Sequence, residues 1–422
     1  MCQAVQFLLG RGGIITGSWV PPMKFVVAGY GSRGDVEPCI AVGRELLRRG
    51  HDVRLAITAP PDMLAFIESA ELTAVPYGPD WRAQMRDDGF VRMLQNPLSA
   101  VHEAVEYVAK VSAEKSAALT SLANGADLLL AGMNEQGPAA NVAEYYGIPL
   151  AVLHSFPPQI LELGSPDGSL VGKQAELAQR RALGLPEATE LSTRPMAEPK
   201  SLEIQAYDEL CFPGLAAEWA DQGLRRPFVG ALTLEMPTAA DDEVLSWIAA
   251  GPPPIYFGFG STPIAYPPDT VAAISAACAQ LGERALIWSG PNDFTHVPHA
   301  EHIKVVHTVG LAAVFPACRA VVHHGGAGTT AAGLRAGIPT LVLWNGLDQP
   351  MWADAVTRLE VGFGRCFSES TVNSLVADLH SVLAPQYAAR ARTVATQMST
   401  PTESLTRAAD LLEDVARRGT SG

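Results

Sequence analysis

Basic residues are in short supply. Against 44 aspartates and glutamates, the 422-residue chain sets only 30 lysines and arginines, for a formal net charge of −14. A nucleic-acid partner needs a basic footprint for its phosphates, so this balance excludes one. Charged residues make up 18% and aromatics 7%, while apolar types reach 48%. That mixture belongs to a packed globular protein and excludes an extended disordered chain. Long apolar runs are missing as well. No stretch approaches the roughly 20 residues of a membrane-spanning helix, so any membrane association is expected to be peripheral. The six cysteines (Cys2, Cys39, Cys211, Cys278, Cys318 and Cys366) form neither a CxxC pair nor a metal-ligand spacing. Their scatter fits a reducing cytoplasm and no disulfide framework.

The length exceeds one ordinary core, so two units of roughly 200 residues are expected. Residues 1–22 hold one short apolar stretch without a charged leader, then Gly10-Arg-Gly-Gly and Pro21-Pro22. They do not read as a signal peptide and are expected to be an extension, with Met23 the physiological start. From there strands and helices alternate. Residues 25–29, 51–58, 127–131 and 150–154 read as strands, and 38–49, 62–70 and 138–146 as helices. Residues 83–124 read as a helical excursion above the sheet. The second half repeats the scheme, with strands at 255–258, 285–288, 303–306, 320–323 and 340–343, and helices at 269–281 and 328–336. This alternation predicts an α/β architecture of two doubly wound parallel sheets. The stretch between them, "RRPFVGALTLEMPTAADD" (225–242), has the proline and aperiodicity of a linker. The amphipathic helix 403–418 is placed to pack back across the two units.

Three strand ends carry glycine-rich turns: "AGYGSRGD" (28–35), "GFGST" (258–262) and "VVHHGGAGTT" (321–330). Open parallel sheets bind ligands at such ends. In the third turn, free backbone N–H groups at a helix start face outward with the positive end of the helix dipole. That arrangement suits a phosphate, and a histidine at the turn can donate to a phosphate oxygen. The plainer reading, a tight turn with two polar surface residues, loses weight because of the two imidazoles.

Taken together, "GSRGDVEP" (31–38), "PPPIYFGFGS" (252–261), "VVHHGGAGTT" (321–330), "AGIPTLVLW" (336–344) and "DQP" (348–350) form an ordered, spaced set. With this set the chain resembles the bacterial glycosyltransferases of GT-B fold (glycosyltransferase family 1). It is most similar to those of glycopeptide antibiotics and mycobacterial glycopeptidolipids. The resemblance runs from Met23 to about Ala416. It implies an N-terminal acceptor-binding Rossmann-like domain over 23–225, a linker over 226–240 and a C-terminal nucleotide-sugar-binding domain over 241–402. The helix and tail 403–422 would pack back on the first domain, and the two domains would face each other across a cleft.

The resemblance also assigns roles. His323 and the turn Gly325, Gly326, Gly328 and Thr329 would face the donor diphosphate, with His324 assisting or shaping the turn. Ser261 would bond a phosphate from the other side, and the backbone of Val309 would read the base. Asp348 and Gln349 would grip sugar hydroxyls, Ser32 and Arg33 would reach the donor across the cleft, and His154 would lie on the acceptor side. Asp35 is the expected catalytic residue. Joining a sugar to an alcohol requires removing the alcohol's proton as it attacks, and a carboxylate in a partly dry cleft can take it. A single direct displacement inverts the anomeric centre. The competing role for Asp35 is a cap on the helix expected to start near Pro38.

The resemblance further implies a dTDP- or UDP-sugar donor, an amphiphilic lipid, lipopeptide or natural-product acceptor, and no cofactor or obligatory metal. Within the family, an antibiotic-like or sterol aglycone is the alternative acceptor. Outside it stand a sugar-nucleotide epimerase, which would need acid/base groups on both faces of the sugar, and a non-catalytic helper protein. Two departures matter. Where relatives place a polar partner for the base, this chain reads Gly132-Met133-Asn134-Glu135, and the stretch 156–175 is short.

Overall fold

The computed structural model describes residues 21–58, 61–80, 101–157, 170–186, 201–261, 264, 266–290, 292, 294 and 297–419. The expectations for residues 1–20 and for most of the short stretch after Phe156 lie outside them. Twelve strands form two six-stranded sheets, paired in parallel throughout. The first holds β1 (Lys24–Gly29), β2 (Asp52–Ile57), β3 (Ala74–Val75), β4 (Leu128–Gly132), β5 (Leu150–His154) and β6 (Leu202–Gln205). The second holds β7 (Ile255–Gly258), β8 (Ala285–Trp288), β9 (Ile303–Val306), β10 (Ala320–His323), β11 (Thr340–Trp344) and β12 (Gly362–Cys366). Strand order is β3-β2-β1-β4-β5-β6 in one sheet and β12-β11-β10-β7-β8-β9 in the other. Numbered within its own half, each sheet therefore runs 3-2-1-4-5-6, the doubly wound order. Three of these strands, β3, β6 and β12, are absent from the sequence reading. All three lie at sheet edges and are short or flanked by irregular chain, so their periodicity is weak.

Both sheets are covered on both faces, as continuous apolar strands require. Phe25 and Val27 of β1 enter one core while their neighbours Val26 and Ala28 enter another. In the second half, Ile255 and Phe257 of β7 face one core and Tyr256 the other. The first helix, Arg33–Arg48, begins five residues earlier than the sequence suggests, with Pro38 inside it. The glycine turn hides that start from a periodicity count.

The last helix, Pro401–Gly419, returns to the first half. Its Ala408, Ala409, Leu412 and Ala416 are buried in the core that contains Phe25 and Val27. Arg49 fixes it by ion pairs to Asp410 (2.7 Å) and Glu413 (3.0 Å). The seam between halves is aromatic: the Trp352 ring lies 5.1 Å from Phe212 and 6.2 Å from Tyr207, centroid to centroid. Arg335 pins the connecting chain, donating to the Ala231 carbonyl (2.7 Å), Thr233 (2.8 Å) and the Ser399 carbonyl (2.9 Å). Among the described residues no helix is long and apolar enough to cross a membrane, and the five described cysteines are free thiols.

Candidate active site

In a doubly wound sheet the ligand crevice opens where strand order reverses, between the first and fourth strands. In the first half that point lies between β1 and β4. The chain leaves β1 through Tyr30–Ser32, and Gly31 takes φ +128°. A Cβ there would come within 2.8 Å of the Asp35 carboxyl carbon, so only glycine lets the carboxylate fold back over the turn. Asp35 is the third residue of the first helix rather than a residue before it. Its Oδ2 accepts from the Ser32 N–H (2.6 Å) and Ser32 hydroxyl (2.8 Å), the acidic arm of a capping box. Its Oδ1 accepts from the Asn134 amide (3.0 Å), at the end of β4.

Capping is thus part of what Asp35 does, and it does not exhaust the group. Burial raises the Asp35 pKa against the pull of those three hydrogen bonds. A carboxylate held in place yet made more basic is what proton abstraction uses. At the partner position that the sequence leaves open stands Asn134, and no local signal marks it, because it reaches Asp35 only once β4 lies beside β1.

The second switch point lies between β7 and β10. The helix Ala327–Ala336 follows β10, with no acidic residue in its first turn and with Gly326 as its cap. It starts one residue before the expected 328. Ala327, Gly328 and Thr329, the first three helical residues, have N–H groups with no acceptor inside the helix. Gly325 has φ +94°, and a Cβ there would meet Val342 at 2.9 Å and the Gln349 carbonyl at 3.0 Å.

His323 is fully buried behind this turn. Its Nδ1 accepts from the Gly325 N–H (3.0 Å), which leaves the proton on Nε2. That Nε2 has no partner. Burial, with His324 nearby, pushes the His323 pKa down to about 3, so the ring is a neutral donor across the working pH range. The His324 ring is wedged between Gly260 and Gly326. It couples the turn after β7 to the turn after β10, which supports a shaping role.

The remaining predicted positions divide. Ser261 sits half-buried in the turn after β7. Asp348 stands directly before the helix Gln349–Arg358, and its carboxylate accepts from the Trp352 indole (3.2 Å). Its pKa is raised to about 6, first by burial and then by the Asp35 charge. The two carboxylates, one from each half, are therefore within electrostatic reach across the cleft. Gln349 packs behind Gly325 and accepts from the Asn345 N–H (2.8 Å). Ser32 is engaged with Asp35. The Arg33 guanidinium lies 2.7 Å from Glu37 and 4.6 Å from the Phe66 ring centroid, and its charge also reaches Tyr256 in the second half. Val309 is buried beside Tyr256 and Phe315, leaving its backbone as the group to offer.

His154 stands apart from the rest. It is fully buried at the end of β5, with both ring nitrogens unpartnered and its pKa pushed down to about 3 by burial and by Arg226. Its Nε2 lies 3.9 Å from Glu203. Between the halves a small pocket is lined by Gly34, next to Asp35, by Gly328 of the turn after β10, and by Tyr207 and Trp352. It opens beside the chemical groups rather than on them.

Residues 25–158 match the glycosyltransferase family 28 N-terminal domain. Residues 287–411 match the C-terminal domain of erythromycin biosynthesis protein CIII-like proteins. An uncharacterized glycosyltransferase of Mycobacterium leprae is 59% identical over 94% of this chain and 98% of its own length. The vancomycin aglycone glucosyltransferase of Amycolatopsis orientalis is 28% identical, covering 94% of this chain and 98% of that protein. The solved structure of glycosyltransferase VinC in complex with dTDP superposes with a TM-score of 0.64 at 19% identity, over 94% of this chain and all of that one.

Proposed function

The chain belongs to the GT-B glycosyltransferases, and on that premise we propose that it transfers a sugar, with inversion, from a nucleoside diphosphate to a hydroxyl of an amphiphilic acceptor. The observation that carries this reading is the pairing of opposites across the cleft. A raised, fixed carboxylate stands at one switch point, and an unpartnered neutral imidazole N–H behind an open helix start stands at the other.

In this mechanism the diphosphate lies on the N–H groups of Ala327–Thr329 and accepts from His323 Nε2. These donors are aimed where negative charge grows as the sugar–phosphate bond breaks. Ser261 closes the phosphate site from the β7 side, the Val309 backbone faces the base, and Asp348 and Gln349 hold the sugar. Asp35 takes the acceptor proton as the oxygen attacks the anomeric carbon from the opposite face. The helix start and the histidine meet the phosphate charge themselves, so no metal is assigned a role.

A dTDP- or UDP-linked deoxyhexose is the proposed donor, supported by the dTDP named in the VinC structure. The proposed acceptor is a lipid or lipopeptide, met at the cytoplasmic membrane surface, a reading supported by the resemblance of the sequence to glycosyltransferases of mycobacterial glycopeptidolipids. A thermal-shift panel of UDP, dTDP and GDP tests the donor, because a ligand that binds the folded state raises its apparent stability. Stabilisation by dTDP or UDP over GDP is expected, followed by β-linked product from an α-linked donor. Equal indifference to all three, or retention at the anomeric centre, contradicts the reading.

A further inference from the structure

Behind the catalytic turn lies a buried charged cluster that the mechanism above does not use. Lys115, on the helix Val101–Ala123, and Glu135, in the turn after β4, form an ion pair with 11% and 1% of their side chains exposed. Glu135 Oε2 accepts from the Tyr77 hydroxyl at 2.5 Å, and Tyr77 is fully buried. The Tyr77 carbonyl in turn accepts from the Thr58 hydroxyl, which ties the cluster to the end of β2. The Lys115 ammonium also sits 4.1 Å from the centre of the Tyr30 ring.

We propose that Lys115 is a positioning residue, which through Glu135 and Tyr30 fastens both backbone segments that hold the Asp35 carboxylate. Glu135 follows directly on Asn134, whose amide donates to Asp35 Oδ1 and to the Tyr30 carbonyl (3.4 Å). Tyr30 directly precedes Gly31, the residue over which the carboxylate folds. One ammonium thus grips the two walls of the Asp35 seat from beneath, by an ion pair on one side and a cation–π contact on the other.

Stability alone does not account for the cluster. Burying a pair of opposite charges costs about as much as their attraction returns, and an apolar trio of similar volume holds a fold as well or better. What the charged trio adds is direction: Glu135 has one oxygen for Lys115 and one for Tyr77, which fixes the turn that carries Asn134. Reacting groups need that precision, since displacement by about 1 Å can cost on the order of 10²-fold in rate.

The inference rests on Asp35 being the base, and its test is read on Asp35 itself. The groups facing that carboxylate are Ser32 and Cys39 on its own helix, Asn134 from β4 and Asp348 from the other half. In the variant Lys115→Met/Glu135→Leu/Tyr77→Phe, all three polar partners leave together and none is orphaned. The carbon-13 titration of the Asp35 carboxyl should then move to higher pH, because the Asn134 amide no longer stabilises the charged form. The acid limb of kcat/KM should move with it, and kcat should fall on the order of 10–100-fold with donor affinity unchanged. Tyr77→Phe alone, which keeps the ion pair, should shift both in the same direction by less. A folded triple variant with wild-type titration and kcat overturns the proposal. If the triple variant does not fold, wild-type values in Tyr77→Phe overturn it. Should Asp35→Asn prove active, the base assignment fails, while the carboxyl titration still decides whether the cluster positions Asp35.

Discussion

The two switch points are built from the same parts and differ in what stands at their helix starts. Each sheet runs 3-2-1-4-5-6 within its half, and each opens a glycine turn between its first and fourth strands. In the first half the helix after the turn is closed by its own carboxylate: Asp35 accepts from the cap N–H and carries the anion within the chain. In the second half the helix Ala327–Ala336 has glycine as its cap and no acid in its first turn. Its N–H groups stay open for an anion that the chain does not supply. The nearest polar groups follow the same division. Around Asp35 stand an amide, a hydroxyl and a buried glutamate; around the second turn stand two imidazoles held neutral by burial. A helix start is a positive site in both places. On the proposed function, the filled start carries the base and the open one receives the anion.

The sharpest way to break this comparison is to remove the proton acceptor and keep its shape. Asp35→Asn retains the cap and can still accept from Ser32, but it cannot take a proton at neutral pH. Its turnover should fall by roughly 10²–10⁴, the usual cost of losing a general base. Steady-state rates within a few-fold of wild type would reduce Asp35 to a helix cap.

A smaller effect sharpens the coupling between halves. The Asp35 charge helps raise the Asp348 pKa to about 6. Removing that charge in Asp35→Asn should move the carbon-13 titration of the Asp348 carboxyl to lower pH. An unmoved titration would separate the two carboxylates. The smallest expected effect is that of chelation. With the helix start and His323 meeting the diphosphate charge, transfer should persist in EDTA. Complete loss that Mg²⁺ restores would show that the second turn needs help.

Most of the architecture was legible because buried parallel strands are unmistakably apolar, as in Phe25–Ala28 and Ala320–Val322. The missing strands were those whose burial is incomplete or whose length gives no period, such as Ala74–Val75 and Gly362–Cys366. The start of the first helix was hidden because its opening residues, Arg33-Gly34-Asp35, carry no apolar spacing; a capping box between Ser32 and Asp35 defines it instead. At the site, the glycine turns and histidines announced themselves locally. Asn134 did not, because its meaning comes from β4 lying beside β1, a pairing about a hundred residues apart in the chain. The Lys115–Glu135–Tyr77 cluster was invisible for the same reason, since three unremarkable polar residues meet only once the sheet has formed. His154, expected on the acceptor side, lies fully buried at the end of β5.

The account's central claim is a division of labour between two like-built turns, and crossed calorimetry tests it most directly. The donor's nucleoside diphosphate would be titrated into the wild-type protein, Asp35→Asn and His323→Ala under one set of conditions. Affinity in Asp35→Asn should match the wild type. Affinity in His323→Ala should fall by about 1.5–3 kcal/mol, the worth of a hydrogen bond to a charged group, or roughly 10–150-fold. Undiminished affinity in His323→Ala, or a comparable loss in Asp35→Asn, would contradict the assignment of anion binding to the open helix start and proton abstraction to the closed one.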